Sequence, residues 1–183
     1  MLAMDTNWQL FARASDDRAA LAELFERHRH FVYRLGWGVL QSGEAAEDIV
    51  QDVFLKIGSG RLKAVPNARF TTWLYGLAIN TAREHARKRR RFWGAEDANE
   101  VLEKQADEAT DPERADALRD LAKALAMLPI RQREVVLLRF YEGFDTQETA
   151  DILGCREGTV KAHLHRATQT LREGLAPYKT ERT

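Results

Sequence analysis

The amino-acid sequence predicts an all-α protein built as two small helical domains, and three observations carry that prediction. No helix-length segment alternates apolar and polar residues with period two, so strand signals are weak throughout. Apolar residues recur instead at the three- and four-residue spacing of a core-facing helix stripe. Near the C-terminus a short helical stretch, a glycine and a second amphipathic stretch follow one another as in a helix-turn-helix.

Residues 7–14 read as a short first helix. A long helix runs from Asp17 to about Gln41, with Leu21, Leu24, Phe25, Phe31, Val32 and Leu35 toward the core, and Ser42-Gly43 breaks it. Glu44 to about Ile57 is the next helix. Gly58-Ser59-Gly60 through Asn67, with Pro66, reads as a loop. Phe70 to about Arg91 is another long helix. The composition then shifts. Ala95 to Pro112 is acidic and poor in large apolar residues, and so reads as a linker. Helical periodicity resumes at Glu113, stops near Pro129, and continues as an amphipathic support from Ile130 to Tyr141. The resulting division is a first domain over 1–94, an acidic flexible linker over 95–112, and a second domain over 113–183.

The second domain is the most explicit. T-Q-E-T-A-D-I-L, Thr146 to Leu153, has Asp145 as a candidate N-cap and Glu148 three residues on, the spacing of a capping box. Gly154 follows at the C′ position, where a positive φ costs glycine little. Ala150 is small enough for close helix approach, Gly154 turns the chain, and Val160 plugs between the helices. In the helix that follows, Val160, Leu164, Ala167 and Leu171 share one narrow face. The opposite face carries Lys161, Ala162, His165, Arg166 and Gln169, types that suit the edges of base pairs and equally suit a solvated surface. The turn before it decides for DNA.

Composition narrows the classes further. The chain has 183 residues, with 28 Lys and Arg against 28 Asp and Glu, and a net charge of zero. That balance is unusual for a protein that binds DNA unaided. The charge is segregated, however. Arg83, Arg87, Lys88, Arg89, Arg90 and Arg91 form a basic run suited to phosphate, and the acidic linker follows directly. No apolar run approaches the ~20 residues of a membrane span, so no membrane insertion is expected. M-L-A-M-D-T-N-W has no basic segment before an apolar core, so no secretory signal is expected and a cytoplasmic location is the default. The single cysteine, Cys155, excludes an internal disulfide and a cysteine-rich metal site, and reads as a small turn residue. Motifs of the H-E-x-x-H, P-loop and G-x-S-x-G kinds are missing, so neither an enzyme nor a cofactor is expected.

Two stretches of the first domain carry chemistry. In D-I-V-Q-D-V-F-L-K-I, Ile49, Val53 and Ile57 can face inward while Asp48, Gln51, Asp52 and Lys56 fall on other faces. An acid-and-amide surface beside Phe54 and Leu55 suits docking onto a basic helical partner, or simply solvent. In F-T-T-W-L-Y-G-L-A-I-N-T-A-R, the aromatics Phe70, Trp73 and Tyr75 precede Asn80 and Arg83. Aromatics beside amides and cations suit unstacked bases, and they also suit a helical core. An Asn within so apolar a stretch must find a partner if it is buried.

Together these stretches resemble the bacterial σ70 family, and within it the extracytoplasmic-function (ECF, group 4) sigma factors. D-I-V-Q-D-V-F resembles region 2.2. That implies docking onto the clamp helices of core RNA polymerase through Asp48, Gln51, Asp52, Phe54 and Leu55. W-L-Y-G-L-A-I-N with the basic run resembles regions 2.3 and 2.4, which melt and read the −10 element. The residues implied there are Arg69, Phe70, Trp73, Asn80, Arg83, Arg87 and Lys88, with Asn80 beside a pocket for a flipped base and the Arg61–Arg69 loop shaping that pocket. L-P-I-R-Q-R-E-V-V-L-L-R-F-Y-E-G-F through G-T-V-K-A-H-L-H-R-A resembles regions 4.1 and 4.2, which read the −35 element. Arg156, Thr159, Lys161, Ala162, His165, Arg166 and Gln169 are the implied contacts. The partners implied are core RNA polymerase, promoter DNA and an anti-sigma factor, and reliance on the polymerase accounts for the zero net charge.

The chain departs from the family pattern at Thr149, where Ile or Val is usual, at Phe144-Asp145-Thr146, and at Lys56-Ile57-Gly58-Ser59, which lacks an aromatic. The alternative is a regulator with a LuxR-type C-terminal domain, because R-E-V-V-L-L and G-T-V-K-A-H-L fit that pattern too. The first half discriminates, since it carries the docking and aromatic helices rather than a receiver or ligand domain.

Overall fold

The computed structural model describes residues 6–64, 69–93 and 123–175. The linker expected over 95–112 lies outside them. The described residues are helical and contain no strand. The N-terminal unit comprises α1 (Thr6–Arg13), α2 (Arg18–Leu40), α3 (Gly43–Gly58) and α4 (Phe70–Trp93). The C-terminal unit comprises a helical turn at 123–126, α5 (Ile130–Val136), a π-helical turn (Leu137–Tyr141), α6 (Thr146–Leu153) and α7 (Glu157–Leu175).

Local chemistry accounts for the helix ends. Asp17 Oδ1 accepts from the amides of Ala19 and Ala20 at 2.9 and 3.2 Å, satisfying donors that the first turn of α2 leaves open. Ser42 caps α3 in the same way, accepting from Ala45 N at 3.3 Å. Asp145 and Glu148 complete the capping box of α6, each side chain accepting from the other's amide at 2.8 and 3.0 Å. Gly154 ends α6 at φ 63°. Cys155 N then donates to Ala150 O at 3.0 Å, which closes a Schellman turn.

The core of the N-terminal unit sits where α2, α3 and α4 meet. Leu24, Leu35, Ile49, Ile57, Phe70, Leu74 and Ile79 are fully buried there. At one end Trp8, Phe11, Phe70 and Trp73 pack edge-on or tilted, with ring centroids 4.8–6.4 Å apart. The same buried cluster continues into the C-terminal unit through Leu125, Leu128, Leu137, Leu138 and Ile152. Gly38 on α2 makes that approach possible: a Cβ there would lie 2.7 Å from the Leu137 side chain. A smaller cluster of Val135, Ala150 and Val160 holds the helix-turn-helix together. Thr149 is fully buried, and its hydroxyl donates to Asp145 O at 2.7 Å, so the polar residue is satisfied within its own helix.

Arg133 is a further seam. Its guanidinium donates to the carbonyls of Leu125 (2.7 Å) and Leu128 (3.0 Å), and to Val39 O at the C-terminal end of α2. It thus pairs a cation with the negative end of a helix dipole. Burial lowers its pKa from the usual arginine value. No helix among the described residues is long and apolar enough to cross a membrane.

Candidate nucleic-acid interface

Three faces carry the residues singled out by the sequence. On α3, Asp48, Gln51 and Leu55 are exposed and Asp52 is half-buried, all on one stripe at helical spacing. Leu55 is 70% exposed, an apolar side chain in an acidic setting. Phe54 is elsewhere. It is buried, with its ring 5.0 Å from that of Phe25. Asp52 Oδ2 lies 2.7 Å from His85 Nε2, and Lys56 Nζ donates to Glu84 at 2.9 Å and Thr81 at 3.0 Å. These links tie the stripe to α4.

On α4 the residues divide. Phe70 is fully buried, because Phe70, Leu74, Ala78 and Ala82 recur every fourth residue and form the core stripe. In this arrangement the ring supports the helix from inside and has no open face to offer a base. Trp73, Asn80 and Arg87 recur every seventh residue, two turns apart, and share another face. Trp73 is half-buried, while Asn80, Arg87 and Lys88 are exposed. Asn80 Oδ1 accepts from Arg83 Nη1 at 3.2 Å, so its partner lies on the surface. Arg83 also reaches across to the C-terminal unit, donating from Nε and Nη2 to Glu134 at 2.7 and 2.6 Å. Arg69 is exposed and donates to Glu148 at 3.2 Å.

On α7 the two faces of the helix separate cleanly. Val160 and Ala167 are fully buried, and Leu164 and Leu171 are half-buried. Arg156, Thr159, Lys161, Ala162, His165, Arg166 and Gln169 are exposed. Lys161 Nζ lies 3.6 Å from Glu157 Oε2 and Gln169 donates to Glu173 at 3.2 Å, both within the helix itself. The face therefore holds three cationic side chains, a hydroxyl, an imidazole and an amide, around a gap at Ala162. Those are the donors that read base edges and phosphates in a major groove. Cys155, half-buried in the turn, packs on the small cluster beneath this helix.

Sequence reading missed the polar residues that join the units. Glu134 is fully buried, Tyr75 OH donates to Glu142 at 2.7 Å, and Arg34 lies 3.6 Å from the other oxygen of Glu142. Burial, then the hydrogen bond to Glu142 and its charge, push the Tyr75 phenol above its ordinary range. One signal was available: Glu134 stands one turn before Leu138, an acid on the apolar face of its helix.

Fold and exposed face together define a DNA-binding protein of the helix-turn-helix class. The family Sigma-70 region 2 matches residues 24–92, and Sigma-70, region 4 matches residues 118–171. The ECF RNA polymerase sigma factor SigM of Mycobacterium tuberculosis is 32% identical over 164 residues, spanning 88% of this chain and 80% of that protein. The RNA polymerase sigma-H factor of Pseudomonas aeruginosa is 30% identical over 193 residues, spanning 99% of this chain and 100% of that protein. The chain belongs to the sigma-70 family and, within it, to the ECF RNA polymerase sigma factors. Its function is promoter-directed transcription initiation, and the region 2 match sets the LuxR-type alternative aside. Among solved structures, CnrH in complex with the cytosolic domain of CnrY shares the fold, with a TM-score of 0.68, 23% identity, and coverage of 94% of this chain and 99% of that one. The sigma factor RpoE of Bartonella quintana, in complex with the anti-sigma factor NepR, has a TM-score of 0.64 at 23% identity over 85% and 96% of the two chains.

Proposed function

We propose a division of labour among the three faces. The α3 stripe of Asp48, Gln51, Asp52 and Leu55 docks core RNA polymerase, with Phe54 bracing it from the core. The α4 face of Trp73, Asn80, Arg83, Arg87 and Lys88, with Arg69 before it, engages the opened −10 strand, and Phe70 supports that face from within. The outer face of α7 enters the major groove at the −35 element, with Arg156, Thr159, Lys161, Ala162, His165, Arg166 and Gln169 as its contacts. The two working units divide at the acidic segment 95–112. The protein acts in the cytoplasm, needs no cofactor, performs no catalysis of its own, and is restrained by an anti-sigma factor, as the relatives' complexes motivate.

The single observation that carries this reading is the open polar face of α7, joined on one chain to a largely exposed acid-and-leucine stripe on the linked helices α3 and α4. Run-off transcription with purified core polymerase and a promoter-fragment library tests it. Wild-type protein should direct discrete start sites, and Asp48→Arg should weaken the complex with polymerase by reversing a charge on the docking stripe. Random initiation by the wild type, or tight sequence-specific DNA binding without polymerase, would overturn it.

A further inference from the structure

The contacts between the two units use groups that the −10 face needs for DNA. Arg83 presents Nε and Nη2 to the two oxygens of Glu134 at 2.7 and 2.6 Å, a bidentate fork identical in kind to a guanidinium–phosphate pair. Glu134 is fully buried, and Arg131 approaches the same carboxylate at 3.5 Å. Arg69 is engaged by Glu148 at 3.2 Å. A third acid of the C-terminal unit, Glu142, takes the Tyr75 hydroxyl at 2.7 Å. Each acid comes from the C-terminal unit, and Arg83, Arg69 and Tyr75 come from α4 or the residue just before it.

We infer that Glu134 stands in for a DNA phosphate in the free protein, latching the C-terminal unit over the −10 face while leaving the −35 helix open. The inference rests on the assignment of α4 to the −10 strand. Arg83 cannot hold Glu134 and a phosphate at once, so single-strand binding by α4 and closure of the units exclude one another. α7 is under no such conflict, because its polar face is exposed and, among the described residues, Lys161 and Gln169 pair within their own helix. The closed state is also favoured by packing. Gly38 admits Leu137, and opening would return Leu137, Leu138 and Ile152 to water. A partner that covers that surface shifts the population toward the open state by its preference for it.

The test measures closure and DNA binding separately. Fluorophores are placed on Glu47→Cys and Arg172→Cys in a Cys155→Ser background, and dye separation is read in the full chain without polymerase. Affinities are read for a mixed-sequence single-stranded DNA pool and for the matching duplex pool. In Glu134→Gln the dyes should move apart, and single-strand affinity should rise about tenfold, as expected when a state that occludes the site no longer dominates. Duplex affinity should stay within about twofold, since α7 is open in both states. Glu142→Gln should act in the same direction by a smaller factor, and it decides alone if circular dichroism shows Glu134→Gln unfolded. Unchanged dye separation in the folded variants would overturn the latch, as would wider separation with no gain in single-strand affinity. Failure of the sigma-factor reading looks different: the wild-type holoenzyme would then initiate no discrete transcripts.

Discussion

Helices α4 and α7 are both long, amphipathic and basic on the outside, yet they are held and used differently. α4 is anchored by large aromatic side chains: Phe70 at its start, with Trp8, Phe11 and Trp73 packed around it, and Tyr75 five residues on, against Phe31 and Phe144. Its cations Arg69 and Arg83 are already engaged by acids of the other unit. α7 rests on small side chains, Val160 and Ala167, and presents its polar face to solvent. Two faces of similar composition therefore differ in availability. The chemistry of a face follows from its residues, whereas its readiness to act follows from what packs across from it.

The largest effect that would break this comparison is Phe70→Ala. Truncating a fully buried aromatic should cost about 3–5 kcal/mol of stability, read as a lower urea midpoint. A normal midpoint with lost −10 opening would make the ring a DNA contact instead. On α7 the matching substitution is Arg166→Ala, at an exposed position. It should leave the urea midpoint unchanged, cost about 1–3 kcal/mol of promoter affinity, and relax preference at one base pair. A panel of −35 mutants read by holoenzyme binding checks it, and equal loss on every sequence would reassign Arg166 to phosphate.

Asp145→Ala sharpens the comparison from below the recognition helix. It removes one half of the capping box, and it should cost about 1 kcal/mol of stability. Thermal unfolding reads that cost, while −35 base preference should be retained because the outer face of α7 is untouched. The smallest effect belongs to Lys161→Ala. Its pair with Glu157 is solvent-exposed and contributes little. Binding should weaken alike on all −35 sequences, and the slope of log affinity against log salt should fall by about one. A changed base preference would instead put Lys161 on a base edge.

Much of the site was legible because its signals are local. The α3 stripe and the two faces of α7 follow from helical spacing alone, and the exposed residues are the ones that spacing set outside. Phe54 and Phe70 were harder to read, because an aromatic beside polar residues invites a binding role. Their fourfold recurrence with Leu74, Ala78 and Ala82, or their contact with Phe25, sends them inward. Asn80 stands in an apolar stretch yet lies on the surface, since its position belongs to the Trp73 and Arg87 face.

By itself the sequence determined the main helices, the cap at Asp145, the left-handed turn at Gly154, and the polar face of α7, while the caps at Asp17 and Ser42 were local but went unread. Each of these is settled within a few residues by backbone donors, side-chain acceptors and the helical period. Only the tertiary structure decided which charges meet. Arg83 and Glu134 are separated by 51 positions, and Tyr75 and Glu142 by 67. A guanidinium has no preference for one carboxylate over another until packing brings one within reach. Here Gly38 leaves room for Leu137 against α2, and the units meet closely enough for Glu134 to reach Arg83.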